Sequence, residues 1–135
     1  MNEAIELHDS ELATVTFAGA SAVVSFRPAY LHRSAGRPAC DAGSGWLQPA
    51  TLVISAASVS ARIQLPATVS AGSLRLGAEL HENIIPAGGT FAGPIELSLL
   101  LTTSESLIIR GDHVTISLEG DPTYLEDVNQ SPGPA

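Results

Sequence analysis

The stretch Ile95-Glu96-Leu97-Ser98-Leu99-Leu100-Leu101 decides the fold. Apolar side chains recur at 95, 97, 99 and 101 with Glu96 and Ser98 between them, which is the period of an extended strand with one face in a core. Three other stretches repeat the pattern: Val59, Ala61, Ile63 and Leu65; Leu74, Leu76, Ala78 and Leu80; and Val114, Ile116 and Leu118. No segment keeps a helical period over three turns, although 127–130 can close a single turn. The sequence therefore predicts an all-β protein, a compact antiparallel β-sandwich of jelly-roll type, with a small β-barrel as the second choice.

Outward from these stretches, strands are expected at 4–8, 12–17, 20–27, 51–58, 59–65, 73–80, 82–85, 95–101, 106–109 and 113–118. Pro28 limits ladder pairing at the end of the third. Residues that accept turn dihedrals punctuate the series: Pro66-Ala67-Thr68, Ala71-Gly72, Pro86-Ala87-Gly88-Gly89, Phe91-Ala92-Gly93-Pro94 and Arg110-Gly111-Asp112. The Arg-Gly-Asp tripeptide reads as one of these turns and not as an adhesion signal. Residues 1–128 form one domain in this reading, and 129–135, ending Ser131-Pro132-Gly133-Pro134-Ala135, a disordered tail.

The chain has 135 residues, 44% hydrophobic but only 4% aromatic, so the core is built from Val, Ile, Leu and Ala, and a large aromatic groove is not expected. Fourteen acidic residues face six basic ones, all Arg, for a formal net charge of −8. That balance repels phosphate backbones and anionic headgroups, which removes nucleic acid and membrane surfaces from the expected partners. The longest apolar run, 97–101, is far too short to cross a bilayer. The lone Cys40 has no intramolecular disulfide partner, and the first residues lack a secretory pattern, so a cytoplasmic location is expected. Leu100 and Val53 fall out of the inward series on their strands. With the open edges of a sandwich, they lead to the expectation of a homodimer.

The densest polar and aromatic cluster lies in 28–49, read as the one long connection. In an extended chain Tyr30, His32 and Ser34 point to one side, with Leu31 and Arg33 on the other. His32 has the chemistry of a proton shuttle or metal ligand, and Arg33 or Arg37 that of a bidentate anion grip. The same residues also suit a plain scaffold, with Trp46 anchoring a loop that Arg–Asp pairs lock down. His8, His32, His81 and His113 sit in four separate segments and make a metal site only if the sheet gathers their ends, so no metal or cofactor is expected. Gly43-Ser44-Gly45 lacks the strand–turn–helix setting of a nucleophile elbow, and Gly88-Gly89 has no Lys-Ser/Thr after it to make a phosphate loop.

Two functions fit. The first is a non-enzymatic protein-binding or assembly module, in which acidic charge steers a basic protein partner and Tyr30, His32, Arg33, Arg37, Asp41 and Trp46 provide specificity. The second is a small-ligand or metal-dependent enzyme with a pocket around 30–46, where His32, Asp41 and His81 carry catalysis. The reading leans away from an enzyme.

Overall fold

In the computed structural model, which describes residues 2–128, the chain is all strand and turn. The expected tail at 129–135 lies outside the described residues. The strands are β1 (Asn2–Glu6), β2 (Glu11–Ala18), β3 (Ser21–Ser34), β4 (Gly43–Ser55), β5 (Ser58–Val59), β6 (Ala67–Leu76), β7 (Glu79–Glu82), β8 (Ile84–Pro86), β9 (Gly89–Leu101), β10 (Ser106–Leu118) and β11 (Thr123–Val128).

Six of them, β2, β3, β4, β10, β9 and β6, pair antiparallel in a closed ring, so the architecture is the small barrel and not the sandwich. Closure follows from β4, whose residues are paired on both sides. Leu52 lies between Val24 of β3 and Ile116 of β10, and Ile54 between Ala22 and Val114, leaving β4 no free edge over this length. These six side chains are buried, as are Phe26, Ala50, Leu74, Leu97, Leu99, Leu101, Leu107 and Ile109. Burying each Leu or Ile contributes roughly 1.5–3 kcal/mol. A one-residue slip would turn this whole set outward, which fixes the register. The ring is thinnest between β2 and β6, joined only at Glu11↔Thr68 and Leu12↔Ala67.

Four strands run 13 or 14 residues, longer than the sequence pattern indicates. They do so because several predicted turns are β-bulges. Between Gly111↔Ile95 and His113↔Ala92, two residues of β9, Gly93 and Pro94, oppose the single Asp112 of β10. The turn signals Phe91-Ala92-Gly93-Pro94 and Arg110-Gly111-Asp112 are thus the two sides of one bulge. Ala71-Gly72 likewise follows a register shift inside β6. Extra residues of this kind let long strands coil tightly enough to close a narrow barrel. Two predicted strands shrink. After β5 only Ser60 still bonds β10, at Ile108, and residues 61–66 are in no strand; 73–80 reverses at Gly77, where φ is +65°, into β7.

β3 passes a further bulge between Phe26 and Ala29, where Pro28 has no N–H to leave unpaired, and continues to Ser34. This half of β3 leaves the barrel and joins a second sheet in the order β8-β1-β3-β4-β11. The expected long connection over 28–49 is therefore two strand halves, and only residues 35–42 link them.

Candidate functional site

Cross-strand register builds the candidate site on the second sheet. Tyr30 and His32 lie two apart on one face of β3, opposite Glu6 and Ala4 of β1 and opposite Leu47 and Gly45 of β4. As the alternation predicts, the two rings share a side, with centroids 5.2 Å apart. His32 is only 5% exposed, and its Nε2 lies 3.0 Å from Glu6 Oε2. The other oxygen of Glu6 accepts from Asn83 Nδ2 at 3.3 Å. Asn83 also accepts from the backbone N–H groups of His8 and Leu7, which ties β1 to the β7–β8 corner. Asn83 has φ +64°, a left-handed conformation that Asn tolerates well.

The Tyr30 hydroxyl donates to Glu126 Oε2 at 2.8 Å. Burial raises its pKa first, followed by the hydrogen bond to Glu126 and the negative charges of Glu126, Glu6 and Asp9. Gly45 makes this contact reachable, because a Cβ there would collide with the Tyr30 hydroxyl; a Cβ at Gly43 would meet the backbone oxygen of Arg33. The glycines flanking Ser44 thus serve close backbone approach.

On the opposite face of the same strands, Arg33 donates from Nε to Glu3 Oε2 at 2.9 Å and lays its guanidinium 4.5 Å from the centre of the Trp46 ring. Trp46 Nε1 donates to Ser44 Oγ at 2.7 Å, and Tyr124 of β11 meets the indole edge-on, with centroids 5.3 Å apart. The Tyr124 hydroxyl donates to Asp127 Oδ1, which raises its pKa. At the hairpin tip Asp41 Oδ2 accepts from the Arg37 backbone N–H at 2.6 Å, and the Arg37 side chain and Cys40 are exposed.

Of the six expected binding residues, Tyr30, His32, Arg33 and Trp46 therefore sit on adjacent strand halves. Arg37 and Asp41 sit at the tip, where Asp41 closes the turn by bonding Arg37's backbone, not its guanidinium. The residues assigned to catalysis are engaged separately: His32 with Glu6, Asp41 with Arg37, and His81 with Glu79 at 3.3 Å, out of line for a hydrogen bond. His8 and His113 pair with their neighbours Asp9 and Asp112. The four histidines thus have four different carboxylate partners. Among the described residues no three His, Cys, Asp or Glu side chains gather as a metal-binding set.

Sequence reasoning missed Glu6, Glu126, Asn83, Glu3 and Tyr124. Each reaches the site from a remote strand, Glu126 from 96 positions away, and no local spacing marks it. No helix of the described chain is long and apolar enough to cross a membrane. Comparison with protein-family models, curated proteins and solved structures finds no match.

Proposed function

We propose that the protein is a cytoplasmic, non-enzymatic protein-binding or assembly module, with the end of the β3–β4 hairpin and the adjoining β11 as its contact surface. One observation carries the reading. Tyr30, His32, Arg33 and Trp46 engage their polar groups with Glu126, Glu6, Glu3 and Ser44, while the groups left exposed are of the kind that contact a partner: the Arg37 side chain at the tip, with Tyr124 51% and Leu125 48% exposed on β11. Tyr and Arg dominate protein interfaces because each combines a wide contact area with polar anchoring. The net charge of −8 speeds encounter with a basic partner and disfavours acidic ones. Self-association is one form this assembly takes.

The test compares proteins captured from a cell extract by the wild type and by Arg37→Glu/Tyr124→Ser/Leu125→Ser, followed by reconstitution with the purified partner. A direct complex weakened at least about tenfold by the variant supports the reading, since loss of one anchor typically costs more than 1 kcal/mol. Partners held equally by both proteins contradict it.

A further inference from the structure

β2 is bonded to β3 along 14–18, but it meets β6 only at Glu11 and Leu12. Beyond Leu12 its other edge has no strand partner among the described residues. Beside that edge runs a groove of about 900 Å³, lined among others by Val15, Phe17, Arg62, Ile63, Leu65 and Leu107. Phe17 is 55% exposed, the highest of the large apolar residues among those described.

The β2 edge differs from the others in chemistry. Proteins guard free edges with charges, prolines or short strands. β8 is three residues long and ends in Pro86, and β11 carries Glu126 and Asp127. Residues 13–18 read Ala-Thr-Val-Thr-Phe-Ala, β-favouring and with neither charge nor proline. The groove lining holds no acidic residue although the chain has fourteen, and Arg62 is its one charged group.

We propose that this edge and groove form a strand-addition site for an extended peptide segment of a protein partner. The segment is apolar at alternate positions and carries a carboxylate where it meets Arg62. Backbone bonds to 13–18 supply affinity, alternate side chains entering the groove supply specificity, and Arg62 selects the acid. This rests on the binding-module reading and names a second contact surface for it.

The test uses the full chain and a fluorescein-labelled, acetylated nine-residue peptide that alternates valine and threonine around one central aspartate. Binding is followed by anisotropy, and the amides involved by NMR hydrogen exchange. The expected result is saturable binding with new protection within 13–18, weakened about tenfold or more by Arg62→Glu and by asparagine in place of the aspartate. N-methylation of alternate peptide amides should abolish it. Arg62 is exposed, so its replacement leaves the core untouched.

Equal binding of the N-methylated peptide would mean simple adsorption to apolar surface and overturns the proposal, as does an affinity indifferent to Arg62→Glu. Failure of the peptide to bind at millimolar concentration also overturns it. Protection confined to β11 overturns the β2 site but leaves the broader reading standing, because that reading depends on Arg37, Tyr124 and Leu125.

Discussion

The Tyr30 hydroxyl donates to the Glu126 carboxylate at 2.8 Å, joining β3 to β11 across 96 positions of sequence. Because burial and the surrounding carboxylates raise the phenol's pKa, the folded chain holds this proton more tightly than the unfolded one. The resulting stabilisation is complete below the unfolded tyrosine value, about 10, and is lost as pH rises beyond it. Urea midpoints measured from about pH 9 to 12 should fall less steeply for Tyr30→Phe than for the wild type. Parallel decline in the two proteins would show that the phenol does not contribute.

The two carboxylates of β1 should differ in weight. Glu6 holds the nearly buried His32, whereas Glu3 pairs with the more exposed Arg33. Removing one side of a buried hydrogen bond strands its partner, so Glu6→Ala should cost about 1–3 kcal/mol in urea unfolding. Glu3→Ala should cost less than about 1 kcal/mol. Equal losses would mean that His32 finds another partner.

Gly111 sits at the β9–β10 bulge, where a Cβ would collide with Ile54 Cγ2 and the backbone oxygen of Ser55. Gly111→Ala should destabilise by about 1–3 kcal/mol through overpacking. At Gly88 a Cβ would make only ordinary contact, 3.7 Å from the Ile116 oxygen, so Gly88→Ala should change stability by less than about 0.5 kcal/mol. Thermal unfolding of the two variants side by side checks both values.

Trp46 is the only tryptophan, so its emission reports on one site. Arg33→Ala removes the guanidinium from the indole face and admits water. Emission should shift to longer wavelength, with a loss of about 0.5–1 kcal/mol. An unchanged spectrum would show that the ring is shielded without Arg33.

Strand identity was legible where the apolar alternation is long: the inward series at Leu97, Leu99 and Leu101 and at Val114 and Ile116 matches the observed burial, whereas the start of β6, with buried Ala67 and Val69, read as a turn. The placing of Tyr30 and His32 on one side was equally local. Bulges were not legible, because Gly93, Pro94 and Gly111 give the same signal whether a strand reverses or takes in an extra residue. The choice between them lies in the partner strand. The Gly/Pro-rich composition of 28–49 concealed strands for the same reason: Pro28 sits at a bulge, and Gly43 and Gly45 allow close approach. Glu6 and Glu126 enter the site only through long-range register, which period and composition do not encode.

Binding by strand addition turns most directly on whether the fold leaves the β2 edge open, and residue-resolved amide exchange of the free protein measures this. Amides of Ala22, Val24 and Phe26 on β3, held between β2 and β4, should exchange slowly. Within 13–18, amides pointing to β3 should be protected and those in alternation with them should exchange almost as in the unfolded chain. Unbroken protection along 13–18 would mean that the edge is already filled, contradicting strand addition at β2.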